Sequence, residues 1–360
     1  MSVFDRPSDL QLSMELAIDH AQYLAREAYS KIANSAHVSF DGTSGSILVC
    51  IGPQERKVSP YFMGQVASAT NVPMLLQSRL SPATLAMVLT EIYAEEGPRS
   101  FLCHRYSFGT ESKDDVVRCV TSSAYKRLWD HQILSVVERS IPGGFVAAAP
   151  IKRKSTARVA EDGELLPWLF IGDRFSAFYF YGPERKTKAG VFRTGMMVEN
   201  SEVGHAAFGW SRFYFSAETE TVIEWVPSEK QRQRVVHLGT GPEKGLKRFV
   251  RDLSSLDQEP PHDFLEAIQK AKKTVYVDVG DPDRNEEMTL TRLRNFGLTK
   301  EQAVRSVGAA HDPINNGGVS PFHLYSIVHG VAGAAMEEKF AEDRVTMQRV
   351  AGKLLRVHAS

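Results

Sequence analysis

Residues 195–215, GMMVENSEVGHAAFGWSRFYF, set an acidic corner between a methionine-rich run and an aromatic run that carries Arg212. Strand alternation places Phe208, Trp210, Arg212 and Tyr214 on one face of the second run. On the first, Phe192, Thr194, Met196 and Val198 alternate with Val191, Arg193, Gly195 and Met197. Flat rings flanking a guanidinium could stack exposed bases, with the guanidinium meeting phosphate or a π face. The same rings would equally suit a sheet core. In the corner, Asn200, Ser201 and Gly204 supply turn chemistry, Gly by tolerating positive φ and Asn or Ser by bonding nearby amides. Glu202 is the residue a corner does not require, so it is the candidate for chemistry.

Four basic runs offer phosphate contacts: Lys152, Arg153 and Lys154 with Arg158; Arg185, Lys186 and Lys188; Lys230, Arg232 and Arg234; and Lys244, Lys247 and Arg248. Collected on one face they would bind a polyanion in a salt-sensitive way; left apart they are a solvated surface. Asp278, Asp281 and Asp283 in YVDVGDPDRNEE could clamp a hard cation as in a metal-dependent nuclease, although Pro282 and Asn285 read as an acidic turn. The histidines are dispersed. No GxxxxGK[ST], GxSxG, HExxH or strand-borne GxGxxG occurs, which withdraws sequence support from P-loop hydrolysis, elbow-type acyl transfer and zincin chemistry. No cofactor is expected, and catalysis is the less favoured reading.

The elements that must position these residues follow from patterning. A chain of 360 residues, 42% hydrophobic and 24% charged, has material for one large or two modest domains. Its 43 basic and 43 acidic side chains cancel, so any polyanion site must be a local patch. The N-terminus lacks a signal-peptide pattern, no run reaches membrane-spanning length, and three scattered cysteines form no disulfide or zinc framework. A cytoplasmic location without a membrane partner is expected.

Residues 9–33 have a helical period with Ser8 or Asp9 as cap. Asp41-Gly42 between Val38, Phe40 and Ile47, Val49, Ile51 predicts a hairpin. Helices are predicted around 59–72, from Ser81 as cap with Pro82 behind it, and over 129–139; a strand pair is predicted over 100–120. Aromatic, strand-like runs fill 143–227, and helices follow 242, with Thr299 and Gln302 forming a capping box. DPDRNEE and HDPINNGG read as loops. The stretch from Ser320 reads as one long helix or a broken pair, weakened at Gly330 and Gly333. The expected architecture is α+β: a central antiparallel sheet flanked by N- and C-terminal helices. Its expected portions are an N-terminal helix (1–34), a hairpin-and-helix portion (35–142), a β-rich centre (143–240) and a helical end (241–360).

Four separate patches resemble one family. VVRCVTSSAYKRLWDHQIL is similar to a strand ending in Ser-x-x-Tyr that runs into a helix, and GMMVENSEVGHAAF is similar to an Asn-Ser-acidic-x-Gly signature. VVHLG carries a His-x-Gly element at His237, and residues 320–355 resemble a closing helix ending Ala-Gly-Lys-Leu-Leu. In this order, across about residues 35–356, they resemble the phage/plasmid-like protein family, domain of unknown function nine hundred and thirty-two. The resemblance implies a protein of bacterial mobile elements, encoded near replication and recombination functions, with no established reaction. The chain departs from that pattern after Gly204, where Arg212 leads to FYFSAETET, and in the helix from 320, which lacks the Trp-Asp start and Asn-Ala-Leu-Thr centre.

The function expected from these readings is noncatalytic binding of nucleic acid, preferably single-stranded DNA, in replication or recombination in a bacterial host. Phe208 and Trp210 would stack bases. Lys152, Arg153, Lys154, Arg193, Arg212, Arg232 and Arg234 would neutralise phosphates, and the Asn200 to Gly204 corner with His237 would shape the site. A metal-dependent nuclease using Glu202 and the 278–283 carboxylates, and a structural or interaction protein of a phage, stand as alternatives. Homo-oligomerisation is left open.

Overall fold

The computed structural model describes residues 9–34, 37–93, 98–105, 115–150, 165–226, 232–254, 256, 259–313 and 318–359. Among these, the strands are β1 (Leu10–Gln11), β2 (Ala28–Asn34), β3 (Val38–Asp41), β4 (Leu48–Ile51), β5 (Gln54–Val58), β6 (Pro98–His104), β7 (Val116–Thr121), β8 (Val146–Ala147), β9 (Leu169–Ile171), β10 (Ser176–Thr187), β11 (Gly190–Asn200), β12 (Phe208–Ser216), β13 (Thr221–Glu224) and β14 (Gln233–Val235). The helices are α1 (Met14–Glu27), α2 (Pro60–Thr70), α3 (Met74–Gln77), α4 (Pro82–Tyr93), α5 (Asp130–Ser140), α6 (Gly241–Ser254), α7 (His262–Ala271), α8 (Pro282–Asn295), α9 (Lys300–Ala310), α10 (Leu324–Met336) and α11 (Ala341–Ala359).

The protein is α+β, with an antiparallel sheet between helices from both ends of the chain. That sheet, A, runs β1-β9-β10-β11-β12-β13, with β8 also on β10 and β14 also on β12. Sheet B runs β2-β6-β7-β5-β4-β3 and contains one parallel pair, β5 with β7. Both faces of sheet A are covered, because both alternating sets of its central strands are apolar. One set, Phe178, Phe180, Met196, Val198, Phe208 and Trp210, packs under α1, α5 and α6. Farther along that face, Phe192 and Tyr214 join the cluster built with α7, α9, α10 and α11. The other set, including Tyr179, Met197, Phe213 and Phe215, packs with Trp168, Phe170 and Val345. Sheet B buries Val38, Val49, Phe101 and Val117 beneath α2 and α4.

The Asp41-Gly42 hairpin forms as expected, with Phe40 opposite Val49. Ser59 caps α2, Ser81 accepts from the Thr84 amide at 3.2 Å, and Thr299 and Gln302 close their capping box. Several expectations change. The first helix ends at Glu27, since Ala28–Asn34 pairs residue by residue with β6, and sheet edge contacts override its helical period. Its cap is Ser13; Asp9 instead accepts from the Ala341 amide at 2.6 Å, at the start of α11. Within the described residues 9–34, β1 belongs to sheet A and β2 to sheet B, on either side of α1.

DPDRNEE is not a loop but the start of α8, with Asp281 as N-cap and Pro282 behind it. HDPINNGG lies partly outside the described residues. The closing stretch is a broken pair, and the break falls at 337–340 rather than at the glycines. Gly330 serves close packing: an added Cβ would stand 2.5 Å from the Ser306 carbonyl oxygen of α9.

Candidate functional site at the sheet junction

Three stretches singled out by sequence, far apart along the chain, meet where sheet A approaches sheet B. Ser122 to Tyr125 follows β7, Asn200 to Gly204 follows β11, and His237 to Gly239 follows β14. The Tyr125 hydroxyl donates to the Ser201 carbonyl at 2.9 Å, and its ring stacks on His237 with centroids 5.1 Å apart. Tyr125 also forms an isolated bridge with Leu238, and the Lys126 amide donates to the His237 carbonyl at 2.8 Å. Arg127 donates to the Glu202 carbonyl at 2.6 Å. Gly204 turns the corner at φ +80°, against Thr121 and Tyr125, a conformation that favours glycine.

Burial pushes the His237 imidazole down to about 4, so it is neutral at neutral pH. Its Nδ1 donates to the Lys126 carbonyl at 3.2 Å, which leaves the buried Nε2 without a partner among the described residues.

Glu202, the residue a corner does not require, reaches two other elements. Oε1 accepts from the Asp130 amide at 3.0 Å, in the first turn of α5, where a carboxylate meets the positive end of the helix. Oε2 lies 3.4 Å from Arg118 of β7. Arg118 also pairs with Asp173 at 3.2 Å, donates to the Asp173 carbonyl, and donates to His104 Nε2 at 3.3 Å. Burial, followed by the Arg118 and Arg127 charges, holds His104 well below the usual imidazole range, so it accepts as a neutral ring.

Asp130 completes the network. Ser176 donates to it at 2.5 Å and Asn200 at 2.7 Å, while the same Asn200 amide donates to the Leu128 carbonyl at 2.9 Å. Burial and then the Glu202 charge raise the Asp130 carboxyl above the usual carboxylate range. A proton-holding carboxyl beside an arginine-bound carboxylate resembles an acid–base pair in composition. However, Arg118, Asp130, Asp173, Asn200 and Glu202 are each 5% exposed or less, and their charged groups are engaged by protein groups, with the Asn200 Oδ1 left without a partner among the described residues. What the arrangement does, as folded, is clamp β7, α5 and the end of β11 together.

The remaining candidates separate. Phe208 and Trp210 are buried, touching each other and Phe249; the Trp210 indole donates to Asp252 at 3.1 Å, and an edge of Trp210 lines one cleft together with Arg212 and Tyr214. Their faces are used by packing, which corrects the expectation that they stack bases. Arg193 lies over the Tyr181 ring at 4.7 Å and 3.7 Å from Glu184. Arg234 is exposed on β14. Lys152, Arg153, Lys154 and Arg158 lie outside the described residues, as does Lys230. The Arg185 run sits at the β10–β11 hairpin, with Arg185 3.4 Å from Glu259. Lys244, Lys247 and Arg248 are exposed on α6.

Asp278 accepts from the Gly280 amide, and Asp281 from the Asp283 and Arg284 amides. Those carboxylates organise a turn and a cap. Among the described residues, no group of three His, Cys, Asp or Glu side chains could hold a metal ion.

Arg232 enters a different cationic site. It forks onto Glu224, at 3.1 Å to Oε2 and 3.3 Å from Nε to Oε1. Arg349 also pairs with Glu224, at 3.2 Å, and with Glu199. Arg232, Arg349, Lys353 and Arg356 line a groove of about 220 Å³ at the β13 edge, where Glu224 is the one lining acid among the described residues. Of these four, sequence reading identified only Arg232. The signal for the others was available: Arg349, Lys353 and Arg356 fall at i, i+4 and i+7 of one helix, hence on one face.

No helix among the described residues is long and apolar enough to cross a membrane. The chain matches no family model, no curated protein and no solved structure.

Proposed function

We propose that the protein is a noncatalytic nucleic-acid-binding member of the phage/plasmid-like protein family, taking single-stranded DNA of a mobile element during replication or recombination. The observation that carries this reading is the groove of Arg232, Arg349, Lys353 and Arg356. Glu224 and Glu199 neutralise part of it, and Lys353 stands exposed with no carboxylate partner among the described residues. On a chain with no net charge, such a local excess gives phosphate an address that the overall field does not.

Binding through this groove is carried by the strand backbone, because Phe208 and Trp210 are buried in core packing away from it. It should therefore be tolerant of sequence and sensitive to salt. The test is a fluorescence-anisotropy titration of labelled single- and double-stranded oligonucleotides across salt concentrations. Each lost phosphate contact lowers the slope of log K against log salt by about 0.7 for a single strand. Lys353→Gln is expected to lower the slope by about that amount with thermal stability unchanged. Failure of either oligonucleotide to bind at low salt, or an unchanged slope in the variant, refutes this assignment.

A further inference from the structure

On the other face of sheet A, the floor between the α6 and α7 layers is open. The outer side of β12 pairs with β14 at 208–210 and with β13 at 213–216. Arg212 lies between these two pairings, where the Trp225 amide still donates to its carbonyl. Its side chain shares a face with Trp210 and Tyr214, but unlike them it is exposed. A cleft of about 400 Å³ forms over it, within the range of small-molecule sites.

The lining has a particular charge pattern. Arg212 is its one cation and has no ion-pair partner among the described residues. Asp252 on α6 and Asp263 on α7 contribute carboxylates from the two walls. Asp252 is held in place by the Trp210 indole and lies 3.6 Å from Arg251 on the same helix, so Asp263 is the wall carboxylate with no ion-pair partner among the described residues. Trp225, also lining the cleft, is 7% exposed and keeps a buried Nε1 that finds no acceptor among the described residues.

We infer that this cleft binds a small zwitterion of the α-amino-acid class, its carboxylate held by Arg212 and its ammonium by Asp263 and Asp252. A simple anion would gain Arg212 but meet two carboxylates, and a simple cation would meet the reverse. A molecule bearing both charges close together satisfies both walls. Planar guanidinium–carboxylate pairing gives orientation as well as attraction. This site differs from the cationic groove, which Glu224 faces from the opposite side of β13, out of step with Ile223 and Trp225; Val226 is the one lining residue they share among the described residues.

The full chain is titrated with each common L-amino acid, followed by tryptophan fluorescence and isothermal calorimetry. Binding of at least one is expected by about 10 mM, with about tenfold or greater weakening for its N-acetyl and its amide derivative, each of which removes one charge. Arg212→Gln should abolish that binding without altering circular dichroism or thermal stability, since Arg212 is exposed. Lys353→Gln should leave it unchanged. Absence of binding by every amino acid, equal binding of the charge-removed derivatives, or full binding by Arg212→Gln overturns the assignment, as does Arg212-dependent binding of mononucleotides alone.

Discussion

Glu202 and Asp130 show how a polar residue selected for chemistry is consumed by architecture. Glu202 touches the α5 N-terminus and Arg118, and Asp130 is a carboxyl that burial and its neighbour's charge keep protonated above the usual range. The sign of the resulting pH dependence follows. A carboxyl whose folded pKa is raised binds its proton more tightly folded than unfolded. Its contribution is complete below the unfolded value of about 4 and is lost as pH rises toward the folded one, at about 1.4 kcal/mol per pH unit in which only the unfolded form is ionised.

Arg118, Asn200 and Ser176 oppose the rise without cancelling it. Asp130→Asn cannot ionise, so its unfolding free energy relative to the parent should improve steadily from pH 5 toward neutrality. Urea denaturation at a series of pH values checks this. A pH-independent difference would show that Asp130 is ionised in the fold. His237, driven down to about 4, acts in the opposite direction: its contribution is present above about 6.5 and falls as pH drops through that range. The comparison between variant and parent cancels it.

Among the elements, β12 best illustrates the division of labour. Phe208 and Trp210 anchor α6 through Phe249, Tyr214 anchors α7 through Phe264 at 4.2 Å, and Arg212 between them is left to the cleft. A buried indole contributes through transfer and cavity costs together. Trp210→Ala should cost about 3–5 kcal/mol of stability. If it remains folded at low temperature, its oligonucleotide affinity should match the parent's. Base stacking would give the reverse, a loss of about 1–3 kcal/mol in binding with little change in folding. Alternation along this strand was legible in the sequence. What was not legible was that helices cover both faces, because an aromatic strand reads alike whether its rings meet solvent, ligand or another helix.

At the scale of the molecule, sheets A and B are joined by the Tyr125, Lys126 and Arg127 contacts to the 201–204 and 237–239 stretches and by two further sets of contacts. Leu102, Cys119 and Val203 form a minor apolar cluster, and Arg118 bridges from β7 to Asp173 and Glu202. Removing the arginine leaves two buried carboxylates without their cation, a change that typically costs about 3–5 kcal/mol. Arg118→Leu should accordingly lower stability by that order and split a single calorimetric transition into two, as the sheets lose their shared clamp. A single transition at the parent's temperature would place the coupling elsewhere.

The sequence by itself determined the elements whose signals are local. The Asp41-Gly42 hairpin, the Ser81 and Thr299 caps and the alternation of β10 to β12 depend on neighbours within a few residues, and their chemistry is independent of the rest of the chain. It also determined which patches were unusual, including the Ser122–Tyr125, Asn200–Gly204 and His237–Gly239 stretches. Only the tertiary structure decided that these three meet, that Ala28–Asn34 is a strand, and that Arg349, Lys353 and Arg356 join Arg232. Those outcomes depend on pairings across many tens of residues, where burial and electrostatic partners are set by the packing of whole sheets and helices and no local pattern records them.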